Sequence, residues 1–146
     1  SHHFESFPAP YDVRDLGDGR QRVLSGTHWE EEFGYCRAIR RGSTVRVAGT
    51  TASHGDRLIG GTDAAAQAHF AIDKIEGAIQ SLGGRLADVV RTRVYVANLE
   101  DWPAVAGAHG DRFAAIRPAN TLVQAKLVGE EYLVEIEAVA ELDRES

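Results

Sequence analysis

The run Val134-Glu135-Ile136-Glu137-Ala138-Val139-Ala140 constrains this chain more than any other stretch. Positions alternate with period two, which fits a strand and no helix. Val134, Ile136, Ala138 and Ala140 point one way and demand a core. Glu135, Glu137 and Val139 point the other way. Upstream lies a second run, Pro118-Ala119-Asn120-Thr121-Leu122-Val123, followed by a polar turn around Gly129-Glu130-Glu131. The two runs are expected to pair as antiparallel strands. Pro118 opens the first, where a missing N–H does least harm. Whether Glu135 and Glu137 face bulk water or a pocket is the functional question.

The rest of the chain supplies the elements around this pair. Residues 1 to about 20 carry Pro8, Pro10, Gly17 and Gly19 and no sustained period. They read as an extended arm that buries Phe4, Phe7 and Tyr11, or else as a loose tail. Residues 1–30 are taken as this arm and lead-in, and residues 31–146 as the domain proper. Tyr35 to Arg40 reads as a strand, Arg41-Gly42 as a turn, and Thr44 to Thr51 as a second strand with Val45 and Val47 on its apolar face. Asp63 to Leu82 has helical spacing of Ala68, Ala71, Ile72, Ile75, Ala78, Ile79 and Leu82. Thr62 or Asp63 can cap it, and Gly83-Gly84 stops it. Gln67, Asp73, Lys74, Glu76 and Gln80 fall on its polar side, and Phe70 falls off the apolar stripe, at the surface. Val89 to Ala97 is a strand with Thr92, Val94 and Val96 alternating against Arg91, Arg93 and Tyr95. A second helix starts near Asp101-Trp102-Pro103, with proline tolerated in its first turn. Trp102, Val105 and Phe113 are placed inward, and Pro118 ends the helix before Arg117.

The order strand, strand, helix, strand, helix, strand, strand describes an α+β domain, a mixed sheet with two helices on one face. Nothing is left in the chain to cover the other face. Oligomerisation through the sheet is the simplest cover.

Composition excludes several functions. A net charge of -6 argues against a nucleic-acid binder, which would show a basic face. No apolar run reaches the ~18 residues of a membrane span. No leader is expected at the polar, aromatic N-terminus, and the single cysteine fits a reducing, cytoplasmic compartment. There is no phosphate loop, no HExxH and no G-x-S-x-G. The six histidines lack metal-ligand spacing, so neither metal nor cofactor is expected. Cys36 has no neighbouring base in sequence and reads as a packed thiol.

Several segments together resemble the RidA/YjgF family. They are Gly34-Tyr35-Cys36-Arg37-Ala38, Gln67-Ala68, the passage from Gly83 to Thr92, Pro118-Ala119-x-Thr121, and Val134-Glu135-Ile136-Glu137-Ala138. The resemblance covers residues 30 to 142. It implies a chorismate-mutase-like fold assembled as a homotrimer, with the sheets forming a central barrel and pockets in the clefts between subunits. It also implies hydrolysis of reactive enamines and imines to 2-keto acids and ammonia. The family's water-positioning glutamate matches Glu135, and its pocket tyrosine matches Tyr35. Its Ser-Gly pair appears as Ala48-Gly49, followed by Thr50. Its substrate-binding arginine, after Pro-Ala, is replaced by Asn120. A cysteine two positions on becomes Leu122, beyond Thr121, and an asparagine of the second helix becomes Ala106.

An arginine grips a carboxylate with two charge-assisted bonds, and asparagine offers one neutral donor arm and one acceptor arm. Losing a charged hydrogen bond costs about 1.5–3 kcal/mol, or one to two orders of magnitude in affinity. Weak activity, or none, is therefore expected on 2-imino acids, and a neutral ligand with an amide or carbonyl edge suits Asn120 better. Asn120 has a second reading, a strand-start residue bonded to its own backbone. Glu135 by itself reads as a solvent-facing glutamate; the resemblance makes it an acid or base acting on water. His109 either reaches the cleft or faces solvent, the commoner placement. Arg117 is expected to point away from Asn120. Two functions remain open, a hydrolase of imine- or enamine-type metabolites other than 2-aminoacrylate, and a trimer that binds a small-molecule ligand in the same cleft without chemistry. An RNA-cleaving role finds no basic groove or histidine pair.

Overall fold

A computed structural model describes residues 11–143. The strands are β1 (Asp12–Asp15), β2 (Arg20–Leu24), β3 (Ala38–Arg41), β4 (Thr44–Thr50), β5 (Ser53–His54), β6 (Arg57–Leu58), β7 (Val89–Val96), β8 (Ala119–Gln124) and β9 (Val134–Glu141). The helices are α1 (His28–Phe33), α2 (Ala64–Ser81) and α3 (Trp102–Phe113). Seven strands form one sheet in the order β1-β2-β3-β4-β9-β7-β8, and β5-β6 is a separate small hairpin. Every pairing in the large sheet is antiparallel except β7 with β8. The domain is α+β, with a mixed sheet and two main helices packed on one face.

The alternation read from the sequence sets the core. Val45 and Val47 of β4, Val94 and Val96 of β7, and Val134, Ile136, Ala138 and Ala140 of β9 are all buried. Ile72, Ile75 and Ile79 of α2, Leu82 just after it, and Val105, Ala108 and Phe113 of α3 close over them. Asp63 caps α2, its side chain accepting from the Ala66 N–H at 3.1 Å. Gly83 ends it at φ 90, a left-handed geometry that a side chain would strain. The opposite sheet face presents Arg91, Arg93, Tyr95, Glu135, Glu137, Val139 and Val123, and no element among the described residues lies across it.

The structure corrects several expectations. The two C-terminal strands are not a hairpin: β8 runs parallel to β7 at the edge, and β9 inserts between β7 and β4. The chain from β7 through α3 to β8 is a crossover unit, whose helix forces parallel pairing. The apolar β9 takes the centre, and β8, with Asn120 and Gln124, takes the edge, where polar side chains are tolerated. Residues 12–15 and 20–24 are paired strands, β1 with β2, a pairing the sequence did not signal; Phe4 and Phe7 lie outside the described residues. The strand expected from Tyr35 begins at Ala38, after α1 and its left-handed cap Gly34. Phe70 is buried, facing the ring of His54 on the small hairpin. Trp102 is half-exposed at the start of α3. Gln67 and Asp73 are fully buried; hydrogen bonds hold Gln67, whereas the Asp73 carboxylate accepts no hydrogen bond among the described residues and is balanced by an ion pair. Gln67 Nε2 donates to the carbonyls of Gly61 and Glu131, its Oε1 accepts from Leu133 N–H, and Asp73 meets Arg112 of α3 at 2.9 Å.

Candidate functional site

Glu135 lies on the open face of β9, half-buried, opposite Tyr95 of β7. Its place is made by a bulge in β4. Between the pairs Val47↔Ala138 and Thr50↔Ile136, β4 spends three steps against two on β9. The extra residue leaves Val47 and Thr50 both buried and brings Gly49 against Glu135. A Cβ built on Gly49 would collide with Glu135 Oε2. The glycine is therefore a seat for the carboxylate. Burial raises the Glu135 pKa above that of a free glutamate; the guanidinium of Arg37 acts in the opposite direction, and Glu137 adds to the rise. Among the described residues no hydrogen bond or ion pair ties the Glu135 carboxylate down. Glu137, two residues on, is committed: Tyr95 Oη and Arg93 Nη1 each donate to its Oε1 at 2.8 Å.

Arg37 is the residue that the sequence did not single out. Its Nη1 donates to the Gly49 carbonyl at 3.0 Å, and its Nε lies 3.5 Å from Glu30 Oε2. Glu30 is buried and also accepts from Ser25 Oγ at 2.7 Å and from the Ser25 N–H at 3.1 Å. Arg37 thus braces the bulge and brings a positive charge towards Glu135. Tyr35 is partly exposed, with the Arg37 guanidinium 5.7 Å above its ring. Nothing local in the sequence marks this cluster, because Glu30, Arg37, Gly49 and Glu135 meet only through three strand pairings.

The other expected residues lie elsewhere. Thr50 is buried and spends its hydroxyl on the Ala48 carbonyl at 2.8 Å. Thr121 shares the open face and accepts from Arg91 Nη2 at 2.8 Å. Leu122 packs against the core. Asn120 points to the helix face, not to its own backbone: its Nδ2 donates to Thr92 Oγ1 at 3.0 Å. That oxygen also lies 2.8 Å from His109 Nε2, so His109 is half-buried between α3 and β7 rather than solvent-facing. Arg117 adopts φ 52, a turn conformation rather than an extended one. Asn120 and Glu135 therefore sit on opposite faces of one sheet. Asn120 is level with Thr92, and Thr92 with Ala138, three residues from Glu135 and two strands away. Strand geometry puts them roughly 14 Å apart.

Two other groups are accounted for by their surroundings. Burial raises the Cys36 thiol pKa, with the arginines Arg22 and Arg37 opposing. Burial lowers Lys74 to about 8, and its Nζ donates to the carbonyls of Thr51 and Ser53. Among the described residues no three His, Cys, Asp or Glu side chains cluster as a metal site, and no helix is long and apolar enough to cross a membrane.

Comparison with known proteins follows this geometry. The profile of the endoribonuclease L-PSP family matches residues 28–142. The uncharacterized protein SCO2049 of Streptomyces coelicolor is 40% identical over 121 residues, covering 82% of this chain and 90% of that protein. The 3-aminoacrylate deaminase RutC of Acinetobacter baylyi is 35% identical over 78 residues, 53% of this chain and 62% of its own. The crystal structure of Rv2704 from Mycobacterium tuberculosis, a member of the YjgF/YER057c/UK114 family, superposes with a TM-score of 0.77. It is 44% identical, and the match covers 84% of this chain and 99% of that one. The chain therefore belongs to the endoribonuclease L-PSP family, that of the RidA/YjgF/UK114 proteins.

Proposed function

We propose that this protein is a homotrimer that hydrolyses imine- or enamine-type metabolites, other than 2-aminoacrylate, in clefts between its subunits. The observation that carries this reading is the state of Glu135. It is half-buried, unpaired among the described residues, seated on Gly49, and less acidic than a free glutamate. Such a carboxylate can take a proton from water and return it. Water adds to the C=N carbon while Glu135 takes one of its protons and passes it to the imine nitrogen, giving the carbinolamine. Glu135 then takes the hydroxyl proton and passes it to the amine, and the C–N bond breaks to release ammonia as the C=O forms. A structural glutamate would look like Glu137, locked by Tyr95 and Arg93.

The separation of Asn120 and Glu135 supports a composite cleft. One protomer cannot bring opposite sheet faces to one ligand, so a site using both takes Asn120 from one subunit and Glu135 from the next. The uncovered sheet face supports the same assembly. Deamination of an enamine is the reaction class for which the Acinetobacter relative is named. Asn120 in place of an arginine turns the preference from carboxylates towards neutral substrates.

The test is ammonia release from 2-iminopropionate and from its neutral carboxamide, each generated in situ. The native protein is expected to favour the carboxamide, and Asn120→Arg to move the preference towards the carboxylate by about tenfold or more. Glu135→Gln is expected to lose both activities. Robust release from the carboxylate by the native protein, or full activity of Glu135→Gln, overturns the reading. So does a light-scattering mass other than three chains. Binding of the carboxamide without turnover leaves the cleft and removes the chemistry.

A further inference from the structure

The polar trio Asn120, Thr92 and His109 lies away from Glu135 in the protomer, and the proposed hydrolysis gives a role to Asn120 but none to Thr92 or His109. We propose that His109, acting through Thr92, sets which end of the Asn120 amide faces outward, and so sets whether this edge of the site accepts a hydrogen-bond donor or an acceptor. His109 is a positioning residue in this scheme. The specificity half rests on the reading that Asn120 lines the site; the orientation half does not.

Proton bookkeeping on one oxygen carries the inference. Thr92 is buried, and water does not arbitrate its bonds. Its hydroxyl has one proton to give and can accept two. Asn120 Nδ2 is a donor and fills one acceptor position at 3.0 Å. The contact of 2.8 Å to His109 Nε2 then takes the Thr92 proton. Nε2 is the bare nitrogen, and the ring proton sits on Nδ1. The Asn120 carbonyl oxygen, on an exposed residue, is turned away from Thr92. It carries no proton, so it selects a ligand N–H, as in an amide or amine.

Protonating His109 reverses the arrangement. Nε2 gains a proton and now donates to Thr92 Oγ1. With Asn120 also donating, the buried Thr92 proton loses its acceptor. A half-turn of the Asn120 amide repairs this. Oδ1 then accepts from Thr92, and the NH2 group faces outward, where it suits a carbonyl or carboxylate. The groups facing His109 permit the titration. Phe113 of its own helix lies 4.6 Å away, centroid to centroid. From the sheet it meets Thr92. The charged residues of the same turn, Asp111 and Arg112, are engaged across α2 by His69, and by Asp73 and Glu76. Burial lowers the His109 pKa and favours the neutral ring at neutral pH.

The test is nitrogen-15 NMR on the full chain from about pH 5 to 8, the range in which histidine titrates. Two-bond spectra report the His109 tautomer, and side-chain amide peaks report Asn120. The native protein is expected to show Nε2 unprotonated at the upper pH and Asn120 amide shifts that follow the His109 midpoint. Thr92→Val is expected to uncouple the two, and Thr92→Ser to keep them coupled. A proton on Nε2 at the upper pH overturns the proposal, as does an Asn120 response independent of His109. The native tautomer decides even where Thr92→Val does not fold. Lactamide and lactate serve as ligand probes. Lactamide is expected to shift Asn120 preferentially at the upper pH, and that preference is expected to fall by about fivefold once His109 is protonated. Intact coupling with no response to either probe removes Asn120 from the site. That outcome overturns the specificity half and the functional reading behind it, while the orientation half stands.

Discussion

Gly49→Ala tests whether the bulge in β4 is a seat for Glu135. The new Cβ would strike Oε2 and stand 3.0 Å from Cδ and 3.4 Å from Cγ. All three are side-chain atoms of one residue, and the backbone of Gly49 is not in the left-handed region. The methyl is therefore opposed by the carboxylate alone. Overpacking costs about 1–3 kcal/mol, and a flexible side chain places this case in the lower half, at about 1.5–2 kcal/mol. Replacing glycine where alanine fits the backbone returns about 0.4–1 kcal/mol through the unfolded state. A net loss of about 1 kcal/mol is expected in the native background. In Glu135→Ala the obstruction is gone, and the same change should stabilise by about 0.4–1 kcal/mol. The double-mutant cycle should thus return a coupling of about 1.5–2 kcal/mol. Urea denaturation at one fixed chain concentration measures it. Carbon-13 NMR of the Glu135 carboxyl adds a second readout. Displacement from its seat towards solvent should bring its pKa down towards the ordinary glutamate range. Additivity within about 0.5 kcal/mol would refute the seat.

Other consequences can be checked separately. Arg112→Ala leaves Asp73 buried without its cation and should cost about 3–5 kcal/mol by urea denaturation, with part of the loss recovered in Asp73→Ala/Arg112→Ala. Lys74 titrates near 8 in the folded chain against 10.5 when free, so the unfolded chain binds the extra proton between those values. Stability should rise with pH across that window and flatten there in Lys74→Met. The raised Glu135 pKa has the opposite sign: the native state holds that proton more tightly, and stability falls as pH rises through 4.5 and the folded value. Glu135→Gln should remove that slope, and at pH 7 it should be at least as stable as the native protein by thermal melting.

Much of the fold was legible in the sequence because it rests on local pattern. Period-two alternation in β7 and β9 named the residues that are buried there, and Asp63 and Gly83 bracketed α2 through capping chemistry that acts within a few residues. The resemblance carried by Glu135 and the Pro118-Ala119 segment named candidate residues, which the structure places on opposite faces of the sheet. What the sequence could not supply was partnership. Strand pairing is decided by the whole sheet's burial, so β9 passed beyond its sequence neighbour β8 to the centre. Gln67 and Asp73 look like surface residues until Gly61 and Leu133 arrive to bond the first and Arg112 to pair with the second. Arg37 carries no local mark of its role, because Glu30 and the Gly49 carbonyl reach it only through tertiary pairing. The alternation of Val134 to Ala140 determined by itself that Glu135 leaves the core. Only the tertiary structure decided that Gly49 receives it and that Asn120 faces the other side of the sheet, since a side chain's neighbours across strands depend on register, which no local period encodes.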